Sequence, residues 1–167
     1  MATESGLILG QASGIIRLNT RDAQQEADLA LASQARRQLL LLSRDLDITR
    51  FGNQAWLEAL KPFWHGRDTV LRILISHPET ALAQSHPLLV LARRLTSHIH
   101  IRKLDPDLYP AEESWLIADG LGLVREQKPG MAYADMRSLA TAPELTERFN
   151  TWFQHASDLT ELRNLML

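Results

Sequence analysis

Four consecutive leucines, Leu39 to Leu42, constrain this chain more than any other feature. With Gln38 before them and Ser43 after, they form a continuous apolar run of strand length, and a strand without polar alternation is covered on both faces. Thr69 to Ile75 is a second apolar run and the clearest strand, while Ile99 and Ile101 alternate with polar neighbours as a third. The segments between these runs read as helices. Asn19 or Thr20 fits an N-cap, and Ala23 to Arg37 holds no Gly or Pro, with Ala27, Leu31 and Ala35 on its buried stripe. About Asn53 to Trp64 shows helical spacing through Trp56, Leu57, Leu60 and Phe63, with Pro62 shortening or kinking the last turn. His77-Pro78 and His86-Pro87 bracket a short helical or looping stretch. Pro87 then suits the first position of a helix through Leu88, Leu91, Ala92 and Leu95.

In the last third, Ser114 to Arg125 reads as two strands around Asp119-Gly120, a pair that favours the left-handed turn of a hairpin. Met131 to Tyr133 adds a short strand, Pro143-Glu144 starts a long helix with Leu145, Phe149, Trp152 and Phe153 on one face, and Glu161 to Leu167 caps the core as a final turn. Gly14-Ile15-Ile16-Arg17-Leu18 is either an edge strand or part of a loose arm. Alternating βαβ-like segments followed by a hairpin and a helix predict one α/β domain over residues 19–167, a mixed sheet flanked by helices, with residues 1–18 as arm or edge strand.

At 167 residues the chain can bury one core, and its 45% apolar and 23% charged composition is that of a globular protein. The absence of cysteine excludes disulfides, thiolate metal sites and a cysteine nucleophile. A formal charge of −2 is low for a protein that coats nucleic acid. Without a basic n-region, a long h-region or a membrane-length apolar run, the chain is expected in the cytoplasm, away from membranes. Gly120-Leu121-Gly122 lacks the third glycine of a dinucleotide loop and serves a turn. His98 and His100, two apart on the expected strand, would face one way as half a metal site near Asp105 and Asp107, but two ligands are too few, so no metal or cofactor is expected. Glu112-Glu113 is read as a solvated pair, since adjacent strand residues point apart. The basic pairs Arg36-Arg37, Arg93-Arg94 and Arg102-Lys103 read first as solvated element ends.

The order of elements resembles one unit of the phospholipase D-like superfamily. Gln38 to Ser43 is similar to its strand before an Asp-rich bend, Thr69 to Ser76 to the strand after its first paired helix, and Ile99 to Arg102 to the strand before its active-site loop. Trp115 to Gly120 resembles the closing half of its H-x-K-x-x-x-x-D motif. From about Asp22 to Leu167 the chain also resembles an uncharacterised family of short bacterial proteins. Ala35-Arg36-Arg37, Ser43, Asp45-Leu46-Asp47, His86 to Arg102, Ala118 to Gly122 and Trp152 carry that likeness, which brings no activity with it. Counting back from Asp119, the motif's histidine position holds Glu112 and its lysine position Ser114. The superfamily reaction needs a histidine to attack phosphorus, a second to protonate the leaving oxygen, and lysines to hold the equatorial oxygens. Glu112 repels a phosphodiester and Ser114 brings no charge.

The resemblance therefore implies a retained scaffold without its chemistry: a non-catalytic domain that binds a phosphorylated ligand, nucleic acid or a partner protein. Asp45, Asp47, His86, Arg93, Arg94, Arg102 and Asp119 are its candidate binding residues. Single-unit members pair their sites across a homodimer, so the resemblance allows a homodimer, which would repeat the same substitutions. Two other readings stay open. One is an adaptor or homodimeric scaffold using the aromatic helix around Trp152. The other is a hydrolase with relocated chemistry, using His77, His86 or His100 with Asp45, Asp47 or Asp119.

Overall fold

The computed structural model describes residues 6–109 and 113–159. Among these, eight strands form one mixed sheet in the order β1-β7-β6-β5-β2-β3-β4-β8. Its centre is the leucine run, β2 (Gln38–Ser43), in parallel register with β3 (Val70–Ile75) and, through it, with β4 (Ile99–Lys103). On the other flank β2 pairs antiparallel with β5 (Ser114–Ala118), which continues into β6 (Gly122–Lys128) and β7 (Met131–Asp135) as a meander. The outer strands are β1 (Ile16–Leu18) beside β7 and β8 (Ser157–Asp158) beside β4.

Leu39 to Leu42 are fully buried and divide between two layers. Leu39 and Leu41 join one core with α1 (Arg21–Gln34) and α3 (Gln54–Trp64), while Leu40 and Leu42 join a second core against α6 (Thr141–His155). Each such leucine contributes roughly 1.5–3 kcal/mol relative to an exposed one. The first layer also carries the one-turn helix α2 (Ile48–Phe51), α4 (Glu79–Ala83) and α5 (Pro87–Arg94), with Pro87 at the first position of α5. No helix among the described residues is long and apolar enough to cross a membrane.

Three local outcomes differ from the sequence reading. Helix α1, capped by Thr20 Oγ1 on Ala23 N–H, stops at Gln34 instead of reaching Arg37. The amides of Arg36, Arg37 and Gln38 turn to the Asp119 carboxylate at 2.9, 2.8 and 3.0 Å, so they are lost to helical carbonyls. His98 precedes β4 in a turn, where Nδ1 lies 2.8 Å from Thr69 O, so it does not share a strand face with His100. Helix α6 begins at Thr141, with Pro143 inside its first turn, and its Ala142 N–H is taken by Ser138 Oγ at 2.9 Å. The expected closing turn of Glu161 to Leu167 lies outside the described residues.

The N-terminal segment is an edge strand with its lead-in held in place. Gln34 bonds Leu9 N–H and Leu7 O at 2.9 and 2.8 Å. A Cβ on Gly122 would meet Leu9 Cδ1 at 2.4 Å and Leu31 Cδ2 at 2.6 Å, so a larger residue would displace both leucine side-chain ends where β6 passes beneath this segment and α1.

Asp119 and Gly120 both adopt left-handed backbone (φ 54° and 67°), as the hairpin requires. Asp119→Ala would leave three amides without an acceptor and should cost roughly 2–4 kcal/mol in urea unfolding. Asp119→Asn, which keeps one acceptor oxygen, should lose less. A midpoint unchanged in both variants would show that the carboxylate does not hold this junction.

Candidate functional site

The carboxyl end of β2 opens onto a cavity of about 820 Å³, the place where α/β sheets offer loop residues to ligands. Ser43 ends the strand, and its Oγ accepts the Leu46 N–H at 2.9 Å, holding Leu46 in left-handed backbone (φ 56°). The turn so formed presents Arg44, Asp45 and Asp47 to the cavity. Asp47 also caps α2, accepting from Thr49 N–H and Oγ1–H at 3.0 and 2.8 Å.

A buried ion pair backs this cavity. Arg50 lies on the lining and grips Asp28 of α1 with Nε and Nη2 at 2.7 and 2.9 Å, while its Nη1 donates to Ser114 Oγ at 2.8 Å. The Asp28 side chain is 1% exposed and that of Arg50 11%. Burial pushes the guanidinium toward neutrality, but the Asp28 charge and hydrogen bonds outweigh it and hold the Arg50 pKa above its usual range. Also on the lining, Glu113 Oε1 accepts from Arg125 Nε and Trp115 Nε1 at 2.8 and 2.9 Å. Burial raises this carboxyl, and those bonds more than offset it, so its pKa is lowered. With both pairs closed, the remaining charges on the lining are Arg21 and Arg44 against Asp22, Asp45, Asp47 and Glu126. The cavity is therefore net acidic.

A second concavity of about 600 Å³ lies at the β4 side of the sheet and has the opposite character. Arg72 on β3 and His100 on β4 are register neighbours, and Arg102 follows two residues on along the same face. Arg93 of α5 also lines the groove. The guanidinium of Arg102 sits 4.5 Å over the Phe153 ring and donates to Phe153 O at 2.6 Å, and Arg72 lies 5.6 Å from the same ring. Burial lowers the His100 pKa, and Arg72 and Arg102 lower it further.

The sequence candidates thus separate. Asp45 and Asp47 share the acidic cavity, and Arg93 and Arg102 share the basic groove. Arg94 is exposed and lines neither concavity. Asp119 stands at the other end of β2, where Ala118 pairs with Leu39, and its carboxylate is taken up by backbone amides. His86 is fully buried and caps α5, accepting Leu88 N–H on Nδ1 at 3.0 Å. Burial holds its pKa down at about 4 against the opposing pull of Asp47 and the Leu46 backbone. His77 Nδ1 lies 2.9 Å from Ser76 Oγ, and its amide bonds Arg44 O. Among the described residues no group of His, Cys, Asp or Glu is placed to hold a metal. Glu112, the motif's histidine position, lies outside them.

Sequence reasoning missed Asp28, Arg50 and Arg72. Two of them carried a signal: Asp28 is a carboxylate beside the buried alanines of α1, and Arg72 is a lone cation in the apolar run of β3. Only Arg50, in a one-turn helix, offered none.

The profile of a family described as "Domain of unknown function (DUF7931)" matches residues 20–165. No curated protein matches the chain in sequence. Among solved structures, the chain is similar to Nuc from Salmonella typhimurium, a phospholipase D family member, with a TM-score of 0.64 at 14% identity over 88% of this chain and 98% of that one. It is also similar to TrmBL2, an archaeal chromatin protein described with a novel mode of DNA binding. That TM-score is 0.60 at 12% identity over 89% of this chain, which spans 54% of the chromatin protein. At these identities the likeness establishes the fold.

Two measurements check the geometry. Arg50→Met should cost roughly 3–5 kcal/mol by stranding the Asp28 carboxylate, and adding Asp28→Leu should recover most of it; equal losses in both would refute the coupling. Because the folded His86 pKa lies below its unfolded value, its stabilising effect is complete above about pH 6.5 and fades as pH falls toward 4, by up to roughly 3 kcal/mol. His86→Asn, which still offers a capping oxygen, should show a flatter stability profile across that window. Parallel profiles would remove His86 as the cause.

Proposed function

The chain belongs to the DUF7931 family, and on that premise we propose that it is a phospholipase D-like domain that binds a phosphorylated ligand without cleaving it. Ser114 carries this reading. It occupies the motif position where the resemblance calls for a phosphate-binding lysine, it lines the cavity, and its hydroxyl is already engaged by Arg50. That guanidinium is itself committed to buried Asp28. The surrounding lining is net acidic, which disfavours a phosphodiester in the orientation the superfamily reaction needs. The shared fold with a phospholipase D family member and with a DNA-binding chromatin protein supports a scaffold suited to phosphate-bearing ligands.

Incubation with bis(p-nitrophenyl) phosphate and with plasmid DNA should give no turnover above the blank. A thermal-shift panel of phosphate, pyrophosphate, nucleotides, oligonucleotides and phospholipid head groups should give a hit among them. At 100-fold its dissociation constant such a ligand stabilises the fold by about 2.7 kcal/mol, which is several degrees for a domain of this size. Sustained hydrolysis, or a flat response to every phosphorylated compound, would overturn the proposal.

A further inference from the structure

We propose that the groove between α5, the β3–β4 pair and α6 is the anion site of this chain, and that it takes a small anion bearing phosphate or pyrophosphate. The inference rests on the phosphate-binding reading above, but it places the phosphate away from the cavity at the carboxyl end of β2.

Three elements deliver the cations. The parallel register sets Arg72 beside His100, and the two-residue repeat of a strand brings Arg102 to the same face. The intervening Leu71, Ile73, Ile99 and Ile101 turn to the opposite core, so this face can be charged without opening the apolar layer. Strand β8 covers β4 only at Arg102 and Lys103. Alongside Ile99 to Ile101 the groove therefore reaches past the sheet edge to Arg93 of α5. Phe153, in the last turn of α6, supplies the ring over which Arg72 and Arg102 lie, which orders both guanidiniums before any ligand arrives.

Charge and hydrogen bonding agree with this assignment. The described lining carries three guanidiniums and one carboxylate, Asp158, which lies 3.6 Å from Arg102 Nε. Neither Arg72 nor Arg93 has an ion-pair partner among the described residues. Among the described residues the buried Nε of Arg93 has no hydrogen-bond partner, so that atom commits the guanidinium to no other acceptor. Part-buried arginines attract an anion more strongly than exposed ones, because water screens them less. At about 600 Å³ the concavity is of small-molecule size. The net charge of −2 on the whole chain disfavours an extended polyanion by comparison.

The test is titration calorimetry on the full chain with inorganic pyrophosphate, and in parallel with a single-stranded oligonucleotide. The proteins are wild type, Arg72→Gln, Arg93→Gln and, in the other cavity, Arg44→Gln. Each groove variant should weaken pyrophosphate binding by roughly 10-fold or more, with Arg44→Gln unchanged. In the wild type, the His100 ring resonances should shift during the pyrophosphate titration, a readout that needs no substitution. Retained affinity in both groove variants with loss in Arg44→Gln would overturn the groove assignment and leave the phosphate-binding reading standing. Binding of the oligonucleotide alone would overturn the small-ligand class. Silence of the wild type toward every phosphate-bearing probe would overturn the phosphate-binding reading itself, and this inference with it.

Discussion

The junction of α1 and β2 depends on one carboxylate, and much of the fold depends on that junction. Three successive amides, of Arg36, Arg37 and Gln38, end on Asp119, while the Asp119 amide returns a bond to Gln38 O. Backbone donors at such a turn need acceptors, and here one side chain supplies all three. The effect is to end a helix, start the central strand and set its register against the hairpin in one step. Strand β2 is buried on both faces, so a one-residue slip would exchange its two leucine pairs between two cores of different shape. The clasp stands at the amino end of β2, which leaves the carboxyl end free to carry an irregular, charged turn.

The parts of the fold that were legible in the sequence are those fixed by local pattern. The leucine run, the Val70–Ile75 strand, the Asp119-Gly120 hairpin and the Trp56–Phe63 stripe all declared themselves through periodicity or turn chemistry. What misled the reading was decided at long range. Ala35 to Arg37 have helical propensity, and the acceptor that draws their amides away lies more than eighty residues along the chain. Two-residue β8 has no pattern of its own and exists because β4 offers it an edge. The candidate site divides in the same way. Arg93 and Arg102 were visible as a basic stretch, but Arg72 joins them only through sheet register. His86 and Asp119 drew notice as polar residues beside turns, and both serve the backbone.

The two concavities differ in sign, and the sheet explains how one small domain keeps them apart. The acidic cavity is lined by the turn beyond β2, the start of α1 and the β6–β7 end, with Arg50 paired to Asp28. The basic groove is built from side chains on the strands themselves, steadied by an aromatic ring of α6. A phosphate entering the first meets carboxylates, and in the second it meets guanidiniums already ordered.

The pairing of β1 with β7 also bears on the order in which the molecule assembles. Strands β5, β6 and β7 are neighbours in sequence and can zip together as soon as their hairpins close, whereas Ile16 meets Ala134 across more than a hundred residues. Loop-closure entropy makes such a contact late in folding, and the few residues of β1 give it little cooperative support. Where β1 is unpaired, the edge of β7 is uncovered. The lead-in from Leu7 to Gly10, tied to Gln34 and to Met136 O, then acts as a latch. It protects a sheet edge that would otherwise be open to pairing with another chain.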